Sequence, residues 1–126
     1  MTVSDTDASY CDEPGWILPP HLAAGLSPTR IWAVEEAWRI TRRVLAGEPV
    51  KVWLFGSYAQ GTVGRYSDID IAVEATGPLN RNRLSELIDA LEDSNIPYYV
   101  DVVEVPASDT EYRAELEKTG VPWPID

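Results

Sequence analysis

Cysteine, histidine, positive charge and long apolar runs are all scarce in this sequence. Cys11 is the single cysteine. It cannot form an internal disulfide, which excludes a stapled secreted scaffold and fits a reducing compartment. Ten Lys and Arg stand against twenty-one Asp and Glu, a formal charge of −11. That balance repels a phosphate backbone, so autonomous nucleic-acid binding is not expected unless the basic residues cluster on one face. No stretch approaches the roughly 18 apolar residues of a membrane span. The opening from Met1 to Pro14 carries Asp5, Asp7, Asp12 and Glu13 without Lys or Arg, the reverse of a signal peptide. The expectation is a soluble cytoplasmic protein with no membrane partner. His21, the single histidine, has no metal-ligand neighbours and reads as structural or merely exposed.

What is present is enough to fold. The chain is 44% hydrophobic with five Trp, too apolar for a disordered segment. Its 126 residues suit one ordinary domain and leave little room for a separate recognition domain, so the acceptor of any reaction is expected on another chain. Residues 1–27 read as an acidic, proline-containing arm, partly mobile, with Trp16, Ile17, Leu18 and Leu22 in need of a docking surface on this domain or another chain. Residues 28–126 read as a single domain. Ser27 and Pro28 form an N-cap and first helical position. The apolar stripe Ile31, Val34, Trp38, Thr41 and Leu45 then predicts a helix ending at Gly47.

A strand follows over Val50 to Phe55, closed by Gly56 and Ser57 and a short helical stretch from Tyr58 to Gln60. Asp68 to Val73 predicts a second strand pairing hairpin-like with the first. Leu84, Leu87, Ile88 and Leu91 mark a helix between Asn80 and Ser94, Tyr98 to Val105 a third strand, and Ser108 with Glu111 a capping box opening a last helix that Gly120 and Pro122 stop. The order implies an α+β fold, a small mixed β-sheet with helices packed on one side.

Three groups along this order carry chemistry. Gly56-Ser57 sits where a strand gives way to a helix, a place where free amides attract anions and glycine admits a phosphate close to the backbone; it is also a common turn. Asp68 and Asp70 alternate with Ile69, Ile71 and Val73, so both carboxylates share one strand face. Paired acids are poor strand formers, a cost that makes sense if a divalent cation lies between them and a polyphosphate, although a solvated strand face would also accommodate them. Asp101 is a lone acid in the apolar run Tyr99-Val100-Asp101-Val102-Val103. If its strand lies beside that of Asp68 and Asp70, three carboxylates converge opposite a phosphate-binding turn, the layout of two-metal phosphoryl transfer.

Gly56-Ser57-Tyr58-Ala59-Gln60-Gly61, then Ser67-Asp68-Ile69-Asp70-Ile71-Ala72-Val73, then Asp101 on a later strand resembles the signature of the polymerase-β-type nucleotidyltransferase superfamily. Within it the chain resembles the minimal nucleotidyltransferase (MNT) group, the antitoxins of HEPN/MNT toxin–antitoxin systems. The resemblance implies a polymerase-β-type nucleotidyltransferase fold. It implies that Gly56 and Ser57 hold the β- and γ-phosphates of a nucleoside triphosphate, and that Asp68, Asp70 and Asp101 form a catalytic site for two Mg²⁺ ions, Asp101 also helping to deprotonate the acceptor hydroxyl. Ser67, inside the motif, joins the nucleotide-binding set. Many relatives carry arginine where this chain has Gln60; Arg65, in the loop before the Asp pair, is the available substitute.

The function implied is transfer of AMP from ATP to a tyrosine hydroxyl of a HEPN ribonuclease toxin, in a hetero-oligomer with that toxin. Two alternatives stand beside it: a non-catalytic antitoxin that neutralises its toxin by direct binding, and nucleotidylation of a small-molecule acceptor. Of the remaining residues, Arg81 and Arg83 read as solvated surface, Trp32, Trp38 and Trp53 occupy core-compatible positions, and Trp123, between two prolines, reads as an interface anchor.

Overall fold

The structure, a computed structural model, describes residues 15–106 and 108–125. The acidic opening with Cys11 lies outside the described residues. After a short helix α1 (Pro20–Ala23) comes the long helix α2 (Pro28–Leu45), capped as its sequence indicates: Pro28 occupies its first turn and the Ser27 Oγ accepts from the Arg30 amide at 3.2 Å. Then follow β1 (Val50–Phe55), the four-residue helix α3 (Ser57–Gln60), β2 (Ile69–Ala75), α4 (Arg81–Glu92), β3 (Val100–Val105), α5 (Thr110–Thr119) and β4 (Val121–Trp123).

The sheet order is β3-β2-β1-β4. β1 runs antiparallel to both β2 and β4, whereas β2 and β3 are parallel, so the sheet is mixed. The β2-to-β3 connection carries α4, as a parallel pair requires a crossover. Strand alternation sorts the side chains into two faces. Val52 and Leu54 of β1 and Ile69, Ile71 and Val73 of β2 meet Val34, Ala37, Trp38 and Ile40 of α2 and Leu84, Leu87 and Leu91 of α4 in the main core. The opposite face holds a smaller cluster in which Trp53, Ala72 and Val105 meet Leu116 of α5, flanked by Phe55 and Tyr112. The two large helices therefore form the single layer the sequence implies, and α5 adds partial cover on the other face. The carboxylate-bearing end of that second face lies beside this cover.

Four local expectations are corrected. β2 begins at Ile69, so Asp68 stands one residue ahead of it, and β3 begins at Val100, although the Tyr99 carbonyl still accepts from the Ile69 amide at 3.0 Å. The cap of α5 is Asp109, whose Oδ1 accepts from the Tyr112 amide at 3.0 Å, not Ser108. An aspartate two residues ahead of the serine's Glu111 reaches the same first-turn donors. Gly120 caps α5 as expected, and past it the chain adds the unanticipated edge strand β4, where Pro122 is tolerated because it costs no internal ladder bond. Trp123 is consequently 4% exposed and belongs to the core, not to an interface.

Residues 15–27 dock on this same domain. Leu18 and Leu22 are buried in the main core, and the Leu18 amide donates to Glu35 Oε2 at 3.1 Å. Trp16 packs edge-on against Trp123 at 5.5 Å between centroids and tilts against Trp38 at 6.3 Å. Trp38 and Trp53 are buried and Trp32 is 40% exposed. Among the described residues no helix is long and apolar enough to cross a membrane.

Candidate active site

The site begins where β1 ends. Gly56 has φ +74° and ψ −150°, a region open essentially to glycine alone, and a Cβ there would overlap the Asp70 carboxylate. Two separate constraints, backbone conformation and space, thus require glycine. The chain then turns into α3, whose first-turn amides at Ser57 and Tyr58 have no partner within a helix of that length. Gly61 ends it in the left-handed conformation.

Asp70 is the register partner of Phe55 on one side and of Asp101 on the other. Asp70 and Asp101 therefore lie side by side on one face, with Gly56 directly against the former. Burial first, then the neighbouring carboxylates of Asp101 and Asp68, push the Asp70 carboxyl above the usual carboxylate range. Both other carboxylates are thus close enough to Asp70 to act on it through space. The Tyr112 hydroxyl, on α5 facing this group, is likewise held above its ordinary value by burial and by Asp70, Asp101 and Asp109.

Among the described residues no three Asp, Glu, His or Cys side chains close into a ready-made metal cage. The arrangement nevertheless fits a hard divalent cation. It offers carboxylate oxygens only, their repulsion is of the kind a cation relieves, and Mg²⁺ usually takes one or two carboxylates and completes its octahedron with water and phosphate oxygens. At Gly56 the backbone lies directly against the Asp70 carboxylate, with no side chain between them.

The remaining sequence candidates fall on the loop between α3 and β2. The Ser67 Oγ accepts from the Gly64 amide at 2.8 Å, and the Ser67 amide donates back to the Gly64 carbonyl at 3.2 Å. Ser67 thereby closes the loop that delivers Asp68. The Arg65 side chain makes no ion pair among the described residues, and its carbonyl accepts from Arg30 at 3.0 Å. Neither side chain hydrogen-bonds to the three carboxylates among the described residues. Gln60 lines a cavity of about 460 Å³ together with Phe55, Gly56, Asp109, Tyr112 and Glu115.

Sequence reasoning missed Tyr112 and Arg30. Nothing in the helix pattern of α5 singles out Tyr112. Arg30 did leave a signal: a cation three residues after a Ser cap, where an acid suits the helix dipole.

A strand with an Asp-X-Asp at its mouth, a parallel neighbour with a third acid, and a glycine turn against them define a nucleotidyltransferase of the polymerase β type. The Polymerase beta, Nucleotidyltransferase family matches residues 42–122, and the chain belongs to that family. More particularly, the chain is similar to two proteins named for one activity. It is 31% identical over 70 residues to the probable protein adenylyltransferase MntA of Haemophilus influenzae, across 56% of this chain and 61% of that protein. It is 44% identical over 59 residues to the protein adenylyltransferase MntA of Shewanella oneidensis, across 47% of this chain and 42% of that protein. The matches thus span about 40 to 60% of those relatives' lengths.

Among solved structures, a toxin–antitoxin complex with AMP-PNP aligns at TM-score 0.52 and 31% identity, covering 69% of this chain and 72% of the other. A mutant of the toxin–antitoxin MntA–HpeT aligns at TM-score 0.54 and 29% identity, covering 71% and 70%.

Proposed function

We propose that this chain is a Mg²⁺-dependent nucleotidyltransferase acting as an antitoxin in the cytoplasm. It transfers AMP from ATP to a tyrosine hydroxyl of a HEPN-type ribonuclease toxin with which it forms a hetero-oligomer. One observation carries the reading: the side-by-side placement of Asp70 and Asp101 with the Gly56 turn packed on Asp70. The MntA names of the relatives and the toxin–antitoxin assemblies of the structural neighbours support the antitoxin role.

In this reading Gly56 and Ser57 hold the β- and γ-phosphates on the backbone amides of the turn. Asp68, Asp70 and Asp101 are the ligands for divalent cations. Bound there, such ions would neutralise triphosphate charge and lower the pKa of the acceptor hydroxyl. Asp101 receives the acceptor proton as the tyrosine oxygen bonds to the α-phosphorus, and the bond from that phosphorus to the bridging oxygen breaks, leaving pyrophosphate on the Gly56-Ser57 side. Arg65, in the adjoining loop and without an ion pair among the described residues, supplies a cationic contact that Gln60 cannot. Ser67 acts by holding the loop that presents Asp68.

The test is incubation with Mg²⁺, labelled ATP, GTP, CTP or UTP, and the product of the neighbouring reading frame. Covalent label on that partner, lost when Asp68 and Asp70 are both changed to Asn, is the expected result. Neutralisation of the partner without label would favour occlusion by binding. Label only on an added small alcohol or aminoglycoside would favour a small-molecule acceptor, and failure to bind any nucleotide would refute both enzymatic readings.

A further inference from the structure

Arg30 is misplaced by helix rules. It is the third residue of α2, its amide satisfied by the Ser27 cap, at the positive end of the helix dipole where an acidic residue would be favourable. A local cost of this kind is retained when the side chain does something elsewhere. The Arg30 guanidinium engages three separate segments. Its Nη1 donates to the Tyr58 hydroxyl at 2.6 Å, its Nη2 donates to the Arg65 carbonyl at 3.0 Å, and its carbon lies 4.4 Å from the centroid of the Tyr98 ring.

Each of those segments delivers one part of the site. Tyr58 is the fully buried second residue of α3, adjacent to Ser57 in the phosphate turn. Arg65 lies in the loop that leads into Asp68. Tyr98 precedes β3 by two residues, and the following residue, Tyr99, accepts from Ile69 beside Asp68. Burial chiefly raises the Tyr58 hydroxyl above its ordinary value, and Asp68 is among the charges that act on it, so the first carboxylate of the pair lies near the same junction.

We propose that Arg30 is a positioning residue that locks the phosphate turn, the loop bearing Asp68 and the entry to β3 into one rigid junction, setting the spacing between the bound triphosphate and the carboxylates. This rests on the nucleotidyltransferase reading. It concerns a residue outside the 42–122 span matched by the family. A planar guanidinium with donors in a fixed fork serves two acceptors and a ring at once; an ammonium on a flexible stem does not. In-line transfer tolerates little misalignment, and a displacement of about 1 Å costs on the order of 100-fold in rate.

Four proteins test the proposal: wild type, Arg30→Met, Arg30→Lys and Tyr58→Phe. Transfer rate is measured at saturating ATP and as a function of ATP, thermal unfolding by circular dichroism, and amide hydrogen exchange over residues 61–68 in the metal-free protein. Arg30→Met is expected to lose roughly 30- to 100-fold in kcat with KM for ATP changed less than about 3-fold, and to exchange faster at 61–68. Arg30→Lys is expected to recover little of this, and Tyr58→Phe to fall between. A folded Arg30→Met protein with wild-type kcat would overturn the proposal, as would losses restored in full by cooling, which mark instability alone. A wild-type protein that transfers nothing would refute the nucleotidyltransferase reading instead. Unchanged exchange at 61–68 would then still overturn the junction.

Discussion

Replacing Asp70 by Asn should stabilise the metal-free protein while abolishing its chemistry. Asp70 shares a face with Asp101 and is raised by burial and by both neighbouring acids, so its ionised form is disfavoured in the folded state. Among the described residues its carboxylate makes no hydrogen bond, so the amide sacrifices none. Opposed side chains in a sheet stand about 5 Å apart at Cβ, which puts the charge centres at roughly 6 Å. With an effective dielectric of about 40 to 60 for a half-exposed site, each neighbouring charge costs about 1 kcal/mol.

After further allowance for salt screening, a gain of roughly 1 to 1.5 kcal/mol remains, or about 4 to 8 °C in Tm for a domain of this size. The sign with pH follows from a carboxyl whose folded pKa is raised. Below the ordinary carboxylate range both states are protonated and the substitution changes little. As pH rises through the raised value the wild type loses stability relative to Asp70→Asn, and the gap is fully open at neutral pH. The assay is thermal unfolding in EDTA at pH 3 and pH 7.5, each at low and high salt. An Asp70→Asn protein that melts at or below wild type at pH 7.5 and low salt would refute the electrostatic reading of the site.

Gly56→Ala forces a side chain into a positive-φ backbone and onto Asp70, and should cost about 2 to 3 kcal/mol by chemical denaturation together with transfer activity. Leu22→Ala opens the core under the N-terminal segment and should cost about 2 to 4 kcal/mol, whereas Ile17→Ala, at a position 71% exposed, should be nearly neutral. Glu74, 3% exposed, accepts from Arg113 Nε at 2.8 Å, so Arg113→Met should destabilise by about 2 to 3 kcal/mol by leaving a buried carboxylate without its cation. A calorimetric Tm for Arg113→Met within a degree of wild type would contradict that ion pair's importance.

Much of this site was legible because its chemistry is local. A glycine and serine after a strand, and two acids alternating with β-branched residues, are written within short stretches, and the structure places Gly56 against Asp70 accordingly. Asp101 was legible only as an acid out of place in an apolar strand; its meeting with Asp70 depends on β2 and β3 pairing in parallel, which no local pattern encodes. β4 was hidden because Gly120 and Pro122 are terminators by composition, and only tertiary pairing with β1 makes a strand of three residues worthwhile. The docking of Leu18 and Leu22 was undecidable locally, since apolar residues in a proline-rich segment fit a neighbouring chain as well as their own. Tyr112 and Arg30 reach the site from elements distant in sequence, through side-chain geometry that periodicity does not express.

Parallel reactions with ATP labelled at the α- or the γ-phosphate, in Mg²⁺ and with the partner protein present, test the proposed chemistry most directly. Transfer of α-label alone, with one pyrophosphate released per label and none from the Asp68→Asn/Asp70→Asn protein, is the expected result. Transfer of γ-label, or α-label that survives loss of both aspartates, would contradict it.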